Sequence, residues 1–277
     1  MRKNATNSTD MKFINRQLLI NLVRKMPVSR AELARITGLT RAAVTLIVDD
    51  LLKDNLIKEI GTAKTGSGRK PVLLDLNDQS YFALGLYIAR EDCYISISNI
   101  KGKILLQKEV VLNPYSGVDE CMKKIIREIK MIITDSKLPD NKFMGMGIVT
   151  PGPVDIHTGT ILNPPNFNRW HNISIVKELK KHFTFPIFLE NYAASLALAE
   201  KNYGRGVDFS SFMLLLVDEG IGAGIIMKDR LYRGVGGFGN EVGHTTINIH
   251  GKQCSCGNRG CLETYASIPS IIEEACQ

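Results

Sequence analysis

Apolar residues recur at helical spacing in three segments near the start of the chain. The first segment lies over 15–25 and ends before Pro27, the second over 29–36, and the third over 40–53. Ser29 and Thr40 are predicted to cap the second and third segments, and Gly38 lies in the turn between them. The third segment carries the i, i+3, i+4, i+7 spacing of a buried helical face at Val44, Ile47, Val48 and Leu51. The pattern therefore predicts three short helices joined by tight turns.

Segments rich in β-branched residues predict strands after these helices. Two of them, 56–60 and 72–76, enclose a loop of Gly, Thr, Ser and Lys over 61–71. The rest of the chain divides into further predicted strands and helices. The strands are predicted at 81–89, 93–99, 104–111, 143–149, 186–189, 212–218 and 221–228, and the helices at 118–136, 173–183 and 192–203, with another helix beginning at 268. Three strands followed by alternating helices and strands predict an α/β body.

The positive charge of the chain is concentrated in its first quarter. Residues 1–75 contain 14 Lys and Arg against 7 Asp and Glu, whereas residues 76–277 contain 21 of each. A basic module attached to a neutral body is typical of a protein that binds a polyanion. No apolar run approaches the roughly 18 residues of a membrane span, and the N-terminus has no apolar signal region. We therefore expect a cytoplasmic protein with no membrane partner and with reduced cysteines.

The order of helix, capped helix, glycine turn and capped helix, followed by two strands, predicts that residues 1–76 form a winged helix-turn-helix that binds duplex operator DNA. The third helix would enter the major groove, where Arg41 suits guanine and Ala42 or Thr45 suits a thymine methyl group, while cations of the wing suit phosphates. The candidate DNA-binding residues are Ser29, Arg30, Thr40, Arg41, Ala42, Thr45, Arg69 and Lys70. The alternatives are a helical protein-interaction module and, for 61–71, a solvated linker.

Four side chains between Glu241 and Glu263 form a complete tetrahedral ligand set for Zn²⁺: His244, Cys254, Cys256 and Cys261. The set leaves no open coordination position, as is typical of structural rather than catalytic zinc. Gly257 and Gly260 allow the tight turn that brings the last two sulfurs to one ion. A disulfide or unligated thiols are the alternative to a metal site. His250 is a competing choice of imidazole ligand.

The segment from Cys254 to Glu263 reads Cys-Ser-Cys-Gly-Asn-Arg-Gly-Cys-Leu-Glu. It resembles the hallmark Cys-x-Cys-Gly-x-x-Gly-Cys-x-Glu of the ROK family, which comprises repressors, open reading frames and sugar kinases. The resemblance implies two actin-like, ribonuclease H-like lobes. The first would comprise residues 77–203, and residues 204–277 would form the start of the second. Family members normally continue well beyond the Cys-rich motif. We therefore expect a truncated chain whose second lobe is incomplete.

The resemblance also locates the positions at which ROK kinases bind ATP and activate the sugar. Where their first strand ends in a pattern like Asp-x-Gly-x-Thr, this chain has Tyr87, Ala89 and Glu91, and Tyr192 stands where the catalytic Asp belongs. A phenol is mostly protonated at neutral pH and is a poor general base. In the second phosphate loop, Glu219 replaces a residue that is usually Thr and adds negative charge. We therefore expect no phosphoryl transfer and no enzyme activity.

The positions at which the family binds its sugar match this chain better than the ATP-binding positions do. By resemblance, the sugar ligands are Asn166, Asn191, Glu241, His244 and Glu263. His244 would bind zinc through one ring nitrogen and turn the other toward the sugar.

The sequence and the resemblance together predict a sugar-responsive repressor of carbohydrate-metabolism genes, similar to xylose-repressor-like regulators. Its expected partners are operator DNA, a small sugar effector and Zn²⁺, and a homodimer is expected where the C-terminal segment is present. The alternatives are a ROK sugar kinase fused to a DNA-binding module and a remnant that binds DNA without responding to an effector.

Overall fold

The structure is a computed structural model that describes residues 8–62, 70–90, 93–113, 115–165, 167–234 and 239–276. Three residues singled out from the sequence lie outside these ranges: Arg69, Glu91 and Asn166. Contacts within the chain divide it into two compact units. The first comprises Met1–Phe82 with Asn99–Lys103, and the second comprises Ala83–Ser98 with Ile104–Gln277. The boundaries expected after residues 76 and 203 stay predictions.

The first unit contains three helices: α1 (Ser8–Lys25), α2 (Arg30–Thr37) and α3 (Arg41–Lys53). The prediction that the first helix begins at residue 15 is wrong, since α1 begins at Ser8. Its additional turns expose their large apolar side chains, Met11, Phe13 and Ile14. The sequence pattern did not show these turns because they have no buried apolar face.

Side-chain caps start α2 and α3 where the sequence predicts them. The Ser29 hydroxyl accepts a hydrogen bond from the backbone N–H of Glu32 at 3.3 Å, and the Thr40 hydroxyl accepts one from the N–H of Ala43 at 3.2 Å. Gly38 ends α2 with a φ of 71°, a left-handed conformation that glycine adopts without steric cost. These caps and this glycine set the turn between the two helices.

The core of the first unit lies between the helices and a small sheet. The predicted buried face of α3 is buried in the structure, and it packs in one cluster with Leu19 and Val23 of α1 and Leu33 of α2. Three strands complete this unit: β1 (Val28–Ser29), β2 (Ile57–Thr62) and β3 (Val72–Leu76), in the antiparallel order β1-β3-β2. Most of the loop predicted between β2 and β3 lies outside the described residues.

The second unit is an α/β structure. In chain order its elements are β4 (Phe82–Ile88), β5 (Cys93–Asn99), β6 (Ile104–Glu109), α4 (Val118–Ser136), β7 (Phe143–Thr150), β8 (Val154–Asp155), β9 (Thr160–Ile161), α5 (Ile175–Leu179), β10 (Ile187–Asn191), α6 (Tyr192–Tyr203), β11 (Phe212–Val217), β12 (Ile221–Met227), β13 (Arg230–Tyr232), α7 (Glu263–Ala266) and α8 (Ile268–Ala275). Five strands form one sheet in the order β10-β7-β4-β5-β6, and three form a second, antiparallel sheet in the order β11-β12-β13.

The parallel pair β7 and β10 places two loops side by side. Asn191, the last residue of β10, lies opposite Thr150, the last residue of β7. Because the carboxyl ends of parallel strands meet at one edge of a sheet, Asn191 and the loop after Thr150 open onto the same crevice.

One predicted helix is shorter than expected. The helix predicted over 173–183 is α5, which ends at Leu179. Lys180, Lys181 and His182 follow and offer no apolar side chain to extend the buried face. Among the helices that the structure describes, none combines the length and the hydropathy needed to cross a lipid bilayer.

Candidate functional site

Side chains from the segment between β13 and α7 converge in the second unit. Ligand atoms within 4.8 Å of one another belong to His244, Cys254, Cys256 and Cys261. A short 3₁₀ turn, Val242–His244, positions the histidine. Isolated β-bridges pair Thr246 with Cys261 and Gln253 with Arg259, and they fold the segment back on itself. The distant histidine and the three cysteines therefore meet through backbone pairing.

The spacing of the donor atoms fits a tetrahedral metal ion. Cys256 Sγ lies 3.7 Å from Cys261 Sγ, and Cys254 Sγ lies 3.5 Å from His244 Nδ1. The S–S distance is too long for a disulfide bond of about 2.05 Å. A separation of about 3.7 Å is expected between two sulfurs bound tetrahedrally at about 2.3 Å from one zinc ion. His250 is exposed and does not belong to this cluster.

Two thiols of the cluster have pKa values that are shifted in opposite directions. Burial raises the pKa of the Cys261 thiol to about 12, since desolvation disfavours the thiolate. A backbone hydrogen bond from Asn258 instead lowers the pKa of the Cys256 thiol. Cys261 therefore keeps its proton at neutral pH unless a cation displaces it. Metal ligation requires thiolates, so a bound metal would release this proton.

A cleft of about 280 Å³ lies next to the cluster. Four residues with a predicted role in sugar binding line it: Asn191, Glu241, His244 and Glu263. The fifth, Asn166, lies outside the described residues, and the adjacent Pro165 lines the cleft. A Cβ atom placed on Gly152 would lie 3.3 Å from Glu241 Oε1 and 3.4 Å from Asn191 Nδ2. These polar groups and the loop after β7 therefore face one small space.

His244 connects the cluster with the cleft. Its Nδ1 faces Cys254, while its Nε2 lies 4.0 Å from Glu241 Oε2. Burial raises the pKa of the Glu241 carboxyl group. A hydroxyl-rich ligand in the cleft would find here a carboxyl group and an imidazole nitrogen at a fixed separation, each able to exchange hydrogen bonds with it.

Two of the cleft residues also hold the backbone that surrounds them. Glu263 Oε2 accepts a hydrogen bond from the N–H of Ile221 at 2.9 Å. Asn191 Oδ1 accepts one from the N–H of Ala194 at 2.8 Å and caps α6. These bonds use one oxygen of each side chain. The other carboxylate oxygen of Glu263 and the Nδ2 group of Asn191 are the atoms that can serve a ligand.

An ion pair in the cleft was missed by the sequence analysis. Arg90 Nη1 donates to Glu219 Oε2 at 2.5 Å. The same guanidinium donates through Nε and Nη2 to the Pro165 carbonyl oxygen at 3.2 and 3.0 Å. Arg90 therefore offsets the negative charge that Glu219 adds at this position. No local pattern signals this pair, because 129 positions separate Arg90 from Glu219.

The two tyrosines at the kinase positions contact each other. The ring centroids of Tyr87 and Tyr192 lie 5.3 Å apart at an interplanar angle of 45°, and both residues line the cleft. Asn240 also lines the cleft, although the sequence analysis did not name it. Its side chain is buried, and within the described residues its Oδ1 has no hydrogen-bond partner. An asparagine in a glycine-rich loop carries no signal that could have identified it.

Three predicted base-contacting residues share the outward face of α3 in the first unit. Arg41, Ala42 and Thr45 are exposed, opposite the buried face. Leu46 is 70% exposed on the same outward face and was missed. Its apolar character suggested burial, but its spacing places it outside the buried stripe.

The remaining DNA-binding candidates differ in their surroundings. Ser29 and Thr40 use their hydroxyl groups as helix caps. Arg30 Nη1 donates to Asp49 at 2.8 Å, and its Nη2 lies 3.8 Å from Glu59. Lys70 is exposed, and Arg69 lies outside the described residues. The DNA-binding role of all eight candidates stays a prediction.

A family model described as the ROK family matches residues 83–277. The chain is 35% identical over 273 residues to the xylose repressor of Bacillus spizizenii, across 96% of this chain and 69% of that protein. A solved ROK family transcriptional regulator, a homologue of the Escherichia coli Mlc protein, aligns with 94% of this chain and 67% of its own, at a TM-score of 0.77 and 28% identity. A ROK hexokinase from Thermus thermophilus aligns with 70% of this chain and 63% of its own, at a TM-score of 0.61 and 27% identity. The chain belongs to the ROK family.

Proposed function

We propose that this protein is a DNA-binding transcriptional repressor of carbohydrate-metabolism genes whose ROK domain binds a sugar without phosphorylating it. The main support for this proposal is the cleft. It combines four side chains suited to sugar hydroxyl groups with two tyrosines that contact each other at the kinase positions. The similarity to a xylose repressor across 96% of the chain supports the same function, because it includes the first unit.

The first unit is the proposed winged helix-turn-helix. Caps at Ser29 and Thr40 fix α2 and α3 around Gly38, so that α3 presents a preformed face to the major groove. Arg41 would form a bidentate pair with guanine. Lys70, beside the connection between β2 and β3, would contact a phosphate. Arg30 would act mainly by neutralising Asp49, which shares the outward face of α3.

Duplex binding should weaken linearly on a plot of log affinity against log salt concentration, because phosphate contacts release counterions. We expect Arg41→Ala to lower affinity for the preferred duplex about 5- to 150-fold and to relax the preference at one base pair, since a bidentate guanine contact provides about 1–3 kcal/mol. Lys70→Ala should instead weaken all duplexes about equally and reduce the salt slope by about one. Fluorescence anisotropy at several salt concentrations measures both effects. An Arg41→Ala protein with unchanged base preference would contradict the assignment of α3.

The ROK domain is the proposed sugar sensor. Asn191, Glu241, His244 and Glu263 would bind the hydroxyl groups, together with Asn166. Tyr192 offers no carboxylate to take the proton of an attacking hydroxyl, and Tyr87 offers none to orient a metal ion. In the actin-like arrangement of two lobes, a sugar that prefers one lobe position would change the spacing of two DNA-binding units in a dimer. A coupling of about 1–3 kcal/mol would alter operator affinity about 5- to 150-fold.

The cluster is the proposed structural zinc site. His244, Cys254, Cys256 and Cys261 would hold the ion, and its bonds would replace the core that this glycine-rich segment lacks. Zinc on Nδ1 of His244 would leave Nε2 as the nitrogen that faces Glu241 and the cleft.

Thiol labelling tests this site. With metal bound, iodoacetamide should alkylate the exposed Cys276 and spare the other cysteines. After chelation, labelling should extend first to the exposed Cys256, and then to the buried Cys254 and Cys261 as loss of the metal loosens the segment. Cys93 and Cys121 should stay protected because both are buried, and burial raises the pKa of Cys93 to about 12. Mass spectrometry locates the labels, and labelling of Cys276 serves as the control. Metal-free protein from a chelator-free purification, with Cys254 and Cys256 freely alkylated, would refute the zinc site.

An active sugar kinase fused to a DNA-binding unit is the second candidate. The alignment with a ROK hexokinase at a TM-score of 0.61 favours it, since the fold of a kinase is retained. The Arg90–Glu219 ion pair weighs against it. This pair joins the two segments that would bind ATP phosphates, and it would have to open before phosphates could contact them.

A further inference from the structure

The outward face of α3 carries an aliphatic strip. Leu46 is 70% exposed and is the most exposed large apolar residue among the described residues of the first unit. Ala42 lies one helical turn before it and Thr45 immediately before it, and both are exposed. All three side chains carry methyl groups. The strip lies opposite the face of α3 that packs into the core.

The charges around this strip are arranged to leave it apolar. Asp49 follows on the same face, but its carboxylate accepts a hydrogen bond from Arg30 at 2.8 Å. Arg30 therefore draws the charge of Asp49 toward α2. Arg41 is a cation next to the strip, and it lies at the first position of α3. A polar ligand surface would make no favourable apolar contact with Leu46. An apolar group that reaches Leu46 would instead bury its side chain.

We infer that Leu46 is a base-reading residue that selects thymine by packing against the C5-methyl group, with Ala42 and Thr45 completing the contact. The inference rests on the proposed binding of DNA through α3. The methyl group of thymine is the apolar feature that distinguishes base pairs in the major groove. An aliphatic strip on a helix that enters this groove therefore matches thymine and no other natural base of unmodified DNA.

The experiment uses the full chain and duplexes that it enriches from a random pool. Each thymine of the enriched sequence is replaced in turn by deoxyuridine, which lacks only the methyl group. The affinities of the unaltered protein, Leu46→Ala and the control Leu18→Ala are compared. Leu18 is a second exposed leucine, on α1. Both substitutions remove exposed side chains, so the fold should be retained.

We expect deoxyuridine at one or two positions to weaken binding by the unaltered protein about fourfold, the effect of failing to bury one methyl group. The same replacement should weaken binding by Leu46→Ala clearly less, because only Ala42 and Thr45 remain to contact the methyl group, while Leu18→Ala should keep the full penalty. This pattern would show that Leu46 and the methyl group act as a pair.

Two other results would overturn the inference. They differ in whether they also overturn the proposed binding of DNA. If duplexes are enriched but every deoxyuridine penalty is the same in Leu46→Ala, then Leu46 does not read thymine and DNA binding stands. If the pool yields no enriched duplex, the proposed DNA-binding function fails together with the inference.

Discussion

Replacing Gly260 with alanine is expected to weaken the proposed zinc site at the His244, Cys254, Cys256 and Cys261 cluster. Gly260 has a φ of 65°, a conformation that costs alanine roughly 1–2 kcal/mol. A Cβ atom on Gly260 would also lie 1.6 Å from the carbonyl oxygen of Asn248, which is far inside van der Waals contact. The backbone must therefore move. Gly260 donates to the Lys252 carbonyl oxygen and accepts from the Ile247 N–H, both at 2.8 Å, so the movement disrupts the pairing that positions the adjacent Cys261.

Gly257 provides a matched control in the same segment. Its φ of 94° is also left-handed, but a Cβ atom there would meet nothing within 4 Å. Gly257→Ala therefore reports backbone strain alone, and Gly260→Ala reports strain together with the clash. We expect Gly260→Ala to lose its metal to a chelator at a concentration that Gly257→Ala resists, and to unfold at a lower temperature. Equal metal retention in the two variants would show that the segment tolerates the movement.

The caps and the buried face of α3 could be predicted because they depend on residues close in sequence. Ser29 and Thr40 each cap the helix that follows within three residues. The first turns of α1 and the end of α5 could not be predicted in this way. The first turns of α1 have no buried apolar face and α5 ends before three polar residues, so the spacing of apolar residues does not mark either boundary. Predicted helix ends are therefore less secure than predicted helices.

The same distinction between residues that are close and distant in sequence applies to the candidate site. The Cys-rich motif identified the cluster because its three cysteines lie within eight positions, whereas the sequence left His250 as an alternative to His244. The Arg90–Glu219 pair had no such signal, since it depends on how β4 and the β11–β12 hairpin are placed in the fold. The exposure of Leu46 could not be established from the sequence alone. Its spacing placed it outside the buried stripe, but only the observed exposure distinguishes it from a residue covered by another element.

Replacing Glu263 with glutamine is expected to weaken sugar binding about 10- to 150-fold. The glutamine can keep the bond to the Ile221 N–H through its amide oxygen, so the β11–β12 hairpin should stay in place. Its NH₂ group would then face the sugar at the position where the Glu263 carboxylate would accept a hydrogen bond from a hydroxyl group. Hydrogen bonds to charged groups contribute about 1.5–3 kcal/mol, which sets the expected loss. Calorimetry with xylose, glucose and N-acetylglucosamine measures it.

Glu219→Gln is the matched control, because it makes the same change in the same cleft. The Glu219 carboxylate is 48% exposed and is engaged by Arg90, so its loss should change sugar affinity by a few-fold at most. A Glu263→Gln protein that binds every sugar as tightly as the unaltered protein would remove Glu263 from the sugar site. A coupled assay for ADP release on the same samples separates the two proposed functions. A sensor should bind sugar with no ATP turnover, because Tyr192 supplies no carboxylate base, whereas turnover that requires the bound sugar would establish the kinase.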